Sequence, residues 1–220
     1  MRLPRNEQVF RIAILAGALA FLPAGPLFAD PIIYFVTVNT GAISGASGFL
    51  DFSFGPGNDS QSALASISSF VSDGSLSGSP EVNGGVLGSL PGTVTIDNST
   101  GFNDYFQGFD FGANIQFLLS FSGPALVSPN GTSTSGSTFG FGMFDSTGTN
   151  PLLTADANGS TFTVDVNLDG STTPTTFPAD TQGAPPVATL ESTTPEPAPL
   201  ASLALGLAIL LVRGRTAIKR

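Results

Sequence analysis

The sequence predicts an all-β fold, a β-sandwich with the jelly roll among its forms, flanked by a secretory-type leader and a short apolar C-terminal segment. Three observations carry this. From Ile32 to about Leu168, short β-rich runs alternate apolar and polar residues with the period of a pleated strand. Gly, Asn, Asp, Ser and Pro, the residues of turns, separate those runs. The chain has no cysteine, so packing rather than disulfides must hold it, and 16 of its 19 phenylalanines lie beyond residue 29.

Residues 1–29 read as a signal peptide: Arg2, Arg5 and Arg11, an apolar run from Ile12 to Leu22, and a Pro/Gly-broken stretch ending at "LFAD". Cleavage is expected after Ala29. An uncleaved anchor helix is the other reading, but Pro23, Gly25 and Pro26 stop the run well short of a bilayer span.

The domain is placed at 30–169. "IIYFVTVNT" is β-rich throughout. "FLDFSFG" puts Leu50, Phe52 and Phe54 on one face and Asp51 and Ser53 on the other. "GTVTIDN" offers Val94 and Ile96, "NIQFLLSFSG" offers Ile115, Phe117, Leu119 and Phe121, "STFGFGMFD" offers Phe139, Phe141 and Met143, and "TFTVDVNLDG" offers Phe162, Val164, Val166 and Leu168. One stretch reads two ways. In "DSQSALASISSFVSDG", Ala63, Leu64, Ile67, Phe70 and Val71 fit a helix capped by Asp59 or Ser60, while Ala63, Ala65 and Ile67 alternate as in a strand.

From 170 to 194 the composition turns to Thr, Pro and Ala, and seven prolines fall between Pro174 and Pro199. Prolines leave few ladder donors, so this segment reads as an extended, partly stiff linker. The apolar run from Ala198 to Val212 is 15 residues long and contains Pro199 and Gly206. As a helix it reaches roughly 22 Å against roughly 30 Å of hydrocarbon, short for a permanent anchor. Arg213, Arg215, Lys219 and Arg220 follow and should stay cytoplasmic.

Charge narrows the function classes. No Lys, Arg or His lies between Ile12 and Val212, while 15 acidic residues lie between Asp30 and Glu196. Nucleic-acid binding is excluded for want of phosphate partners. The carboxylates must stay solvated, accept backbone N–H bonds or meet an external cation.

The tail "TPEPAPLASLALGLAILLVRGR" resembles the PEP-CTERM sorting signal of Gram-negative bacteria: the Pro195-Glu196-Pro197 motif, a short membrane segment and an Arg-rich end with Arg213 and Arg215. The resemblance implies that residues 195–220 are a sorting signal with a short membrane-sorting helix, read and removed by an exosortase. It implies transient membrane association through 198–212, then export from the inner membrane to the cell surface or extracellular matrix. The stretches "GFLDFSFGPGNDSQSA", "FNDYFQGFDFG", "FLLSFSGPAL" and "TFTVDVNLDG" also resemble one group of these proteins. That likeness implies an all-β secreted domain, favours the strand over the helix near Ala65, and carries no activity.

Sites are sparse. Asp165, Asn167, Asp169 and Gly170 match the first half of a D-x-N-x-D-G calcium loop, the one cofactor site suggested. Its second half fails, because Thr176 stands where a bidentate Glu is needed. A solvent-facing strand ending in an Asp-Gly turn explains the same letters.

A Ser nucleophile would lack a His or Lys base, and phosphoryl transfer would lack cations. Asp51, Asp104, Asp110 and Asp145 could formally pair as in glycosidases, but spacing selects no two of them. Tyr34 and Tyr105 could contact sugars, and Asn58, Asn98, Asn130 and Asn158 begin N-x-Ser/Thr sequons.

The expectation is an exported, non-enzymatic surface or matrix protein with an adhesive or structural role, its partners the exosortase and exopolysaccharide. The alternative is a calcium-assisted carbohydrate-binding module.

Overall fold

Alternation decides which face of a strand is buried, and residues 47–56 show it most simply. A computed structural model describes residues 31–193 of the chain. In it Leu50, Phe52 and Phe54 are almost wholly buried, while Phe49, Asp51 and Ser53 turn to the opposite face. In chain order the strands are β1 (Ile32–Asn39), β2 (Ser47–Pro56), β3 (Leu64–Ser72), β4 (Ser75–Asn83), β5 (Val86–Gly88) and β6 (Val94–Asp97). There follow β7 (Asp104–Asp110), β8 (Asn114–Ser122), β9 (Ser135–Asp145), β10 (Ser160–Asn167), β11 (Thr172–Thr176) and β12 (Ala188–Ser192).

They make two six-stranded antiparallel sheets, ordered β12-β1-β8-β3-β6-β5 and β11-β10-β9-β2-β7-β4. The expected all-β sandwich is therefore what the chain forms. The sheets meet through phenylalanine. Phe117 on β8 lies 5.6 Å from both Phe52 and Phe141 and 6.4 Å from Phe162 across the interface. Phe121 similarly meets Phe54 and Phe139 at about 6 Å. Such centroid separations and the tilted or edge-on geometries are those in which aromatic quadrupoles attract.

The ambiguous stretch is β3. Ala63, Ala65 and Ile67 are buried, and Ala65 is held between Ile96 on β6 and Phe121 on β8. The helical spacing has a different origin. A register shift between Ser68 and Val71, with Ser69 at φ 53°, returns Phe70 to the core and leaves Val71 exposed.

The composition boundary at Asp169 is not a structural one. The segment 170–194, read as a linker, supplies β11 on one sheet and β12 on the other. Both are edge strands, so Pro174 on β11 removes a donor only from one flank of a ladder. Ala188 is buried on β12, and Leu190 packs against the core.

The strand β12 also brings the ends of the described chain together. Tyr34 lies opposite Ser192, and Thr193 donates its backbone N–H to the carbonyl of Ile33. The leader 1–29 with Ala29, the motif Pro195-Glu196-Pro197, the segment 198–212, Arg213 and Arg215 lie outside the described residues. Among the described residues no helix is long and apolar enough to cross a membrane.

Candidate functional site

The outer face of the sheet containing β2 concentrates the unusual side chains. Register places Asp51 opposite Phe106 on β7 and Gly142 on β9, and places Ser53 opposite Asp104 and Gly140. Across β7, the edge strand β4 sets Glu81 opposite Phe106 and Asn83 opposite Asp104. Asp51 and Asp104 are thus diagonal neighbours on adjacent strands, a spacing that side chains bridge. Of the four carboxylates that spacing could not choose among, the fold brings these two together.

Their environment is unlike that of the other acids. Asp104 is only 7 % exposed, and the Oδ1 atoms of both Asp51 and Asp104 are shielded from solvent without a hydrogen-bond partner. The nearest donor is Asn83 Nδ2, 3.5 Å from Asp104 Oδ2. Burial first, then the carboxylate of Asp104 beside it, push the Asp51 carboxyl up to about 8. A carboxyl out of water and beside another carboxylate favours its neutral form.

Asp145 is the reverse case. Asn150 Nδ2 and Thr147 Oγ1 donate to it at 2.6 Å, backbone N–H groups of Thr147 and Thr149 add to them, and it is held well below the usual carboxylate range. It organises its own loop. Asp110 accepts from Ser47 Oγ at 2.6 Å.

Beside the carboxyl pair lies an aromatic surface. Phe49 stacks on Phe106 at 4.6 Å and 14°, and Phe106 meets Phe144 at 6.0 Å. Phe49 also walls an open groove of about 280 Å³ bordered by Ser47, Ser77, Ser79 and Ser146. Gly108 is part of its lining, and a side chain there would collide with the Ser77 backbone. A second depression of about 340 Å³ opens beside the β3 irregularity, between Phe70, Val71, Leu76, Pro91 and Phe109.

The calcium-loop residues are placed apart in role. Asp165, mid-strand on β10, accepts from Ser135 Oγ and Thr138 Oγ1. Asn167 is nearly buried and donates to Ser171 Oγ and Thr173 Oγ1. Asp169 accepts from the backbone and hydroxyl of Ser171, which lower its pKa, and Gly170 takes φ 82° to turn the chain into β11. These are the bonds of a β-hairpin. Among the described residues no group of three or more His, Cys, Asp or Glu lies together, at this hairpin or elsewhere.

The two tyrosines offer no open sugar platform. Tyr34 is 5 % exposed, its hydroxyl bonded to Thr172, and Tyr105 is buried with its hydroxyl between Leu90 N–H and Gln107. Asn98 is likewise structural. It donates to Gln61 O and Ser137 Oγ and accepts from Ala63 N, joining the end of β6 to β9 in the opposite sheet. Asn58, Asn130 and Asn158 are exposed.

Sequence reasoning passed over Gln107, which turns inward opposite Leu50 yet satisfies its amide on Ser77 and Gly108 carbonyls. A polar residue between apolar ones in "YFQGF" was the available signal. No family model, curated protein or solved structure matches the chain.

Proposed function

We propose that the protein is an exported, non-enzymatic sandwich, jelly-roll-like in kind, sorted to the cell surface or extracellular matrix and serving there as a structural or adhesive component. The observation that carries this reading is the pairing of β1 with β12. The leader ends just before β1, and the Pro195-Glu196-Pro197 motif begins three residues after Ser192. The start of β1 and the end of β12 therefore lie side by side at one end of the first sheet. A domain whose first and last described strands meet at one pole suits retention at a membrane through its C-terminal segment until an exosortase cuts near the motif.

Mass spectrometry of the mature protein tests this. An N-terminus at Asp30 and loss of the basic tail are expected; intact Arg220 in the surface fraction would overturn the processing.

A second reading, carbohydrate binding, is favoured by the groove beside Phe49. Four serine hydroxyls against a phenyl wall offer the mixed polar and apolar contacts that sugars use. A glycan array with the full chain and with Phe49→Ala tests it: retention lost at least tenfold in the variant supports the groove, and equal retention sinks it.

A further inference from the structure

We propose that Asp51 and Asp104 form a divalent-cation site on the outer face of the second sheet, and that calcium is the ion it fits. The proposal is independent of the sorting reading. Two carboxyl groups meet where water is largely excluded, each with a buried, unpartnered Oδ1. Buried charge of this kind is neutralised by a basic side chain, a proton or a metal ion. The first is absent among the described residues, since no Lys, Arg or His lies between Ile12 and Val212.

A proton on Asp51 would still leave the Asp104 carboxylate buried, with the Asn83 amide at 3.5 Å its one other side-chain partner. A divalent ion neutralises both. Neutral oxygens stand nearby for further coordination: Ser53 opposite Asp104 on β2, and the Asn83 amide opposite it on β4. Glu81, across Phe106, is the other acid on this part of the face, and its charge adds to the attraction. Ligands drawn from three separate strands do not make a regular octahedron, which disfavours magnesium and suits the irregular shell of calcium. Two carboxylates imply an affinity on the order of 10⁻⁴–10⁻³ M, the range of extracellular calcium modules.

The chain's two tyrosines allow the ion to be located. Tyr105 adjoins Asp104 in sequence, whereas the Tyr34 hydroxyl bonds Thr172, beside the Asp165–Asp169 hairpin. The full chain in detergent is titrated with terbium and excited at the tyrosine band, then calcium is added to displace the probe. Sensitised emission should fall at least fivefold in Tyr105→Phe, persist in Tyr34→Phe, and vanish in Asp51→Asn and Asp104→Asn.

Calcium at several millimolar should also raise the wild-type Tm at pH 8.5 by several degrees relative to chelator. Emission lost in Tyr34→Phe but kept in Tyr105→Phe would move the ion to the hairpin and overturn the assignment. Equal melting with calcium and chelator would mean that the pair holds only a proton. The tyrosine and melting measurements do not depend on the aspartate variants folding.

Discussion

Thr193 donates its backbone N–H to the Ile33 carbonyl at 2.8 Å, so the last described residue is fastened to the first strand. The pairing of β12 with β1 makes the Thr/Pro-rich segment part of the sandwich.

Truncation reads this out. A chain stopped after Thr193 should melt like the full chain, whereas one stopped after Val187 loses the β12 ladder and the packing of Ala188 and Leu190. The expected loss is about 3 kcal/mol from apolar burial and edge hydrogen bonds. Thermal unfolding of the two truncations checks it. Equal melting would mean that β12 is dispensable.

Phe117→Ala tests the core. Its ring is fully buried between Phe52, Phe70, Phe141 and Phe162. Removing it should destabilise the domain by about 3–5 kcal/mol in urea unfolding. A loss below 1 kcal/mol would show that the sheets close over the gap.

Asn98→Ala removes three hydrogen bonds at a position 7 % exposed and leaves Ala63 N–H and Ser137 Oγ without their partner. About 2–3 kcal/mol should be lost. The same substitution at exposed Asn130 should change stability by under about 0.5 kcal/mol.

The acids set opposing pH trends. Asp145, Asp73 and Asp169 have lowered folded pKa values, from Asn150, from Asn114 N–H and from Ser171 respectively. Their stabilisation is present above the unfolded value near 4 and is lost as pH falls. Asp51 is raised to about 8, so the native state binds its proton between pH 4 and 8 where the unfolded chain does not. Its effect reverses: stability is greatest below pH 4 and declines as pH rises through 8.

Together they place maximal stability of the metal-free protein near pH 4–5. Asp51→Asn should flatten the alkaline decline, measured as Tm in chelator from pH 4 to 9. A wild-type Tm that rises steadily to pH 8 would contradict the pairing.

Legibility in the sequence followed from how each strand is placed. The strands β2, β6, β8, β9 and β10 each present one face to a common core, so alternation alone marks Phe52, Ile96, Phe117, Phe141 and Val164 as buried, and they are. The edge strands β4, β11 and β12 have little to bury and tolerate Gly78, Pro80 and Pro174, so "SLSGSPEVN" and "TTPTT" carry no strand signal. The strand β7 buries residues on both faces, Tyr105 and Phe109 inward and Asp104 outward, which erases its alternation.

The sequence by itself determined the two-sheet character and the phenylalanine core, because period-two patterning is a local property. It also determined that no carboxylate between residues 31 and 193 can find a basic partner within that span. Only the tertiary structure decided that Asp51 and Asp104 meet, since 53 positions separate them and the register of β2 against β7 alone makes them neighbours. It likewise decided that the Thr/Pro-rich segment closes both sheets, because an edge is defined by the strands already beside it.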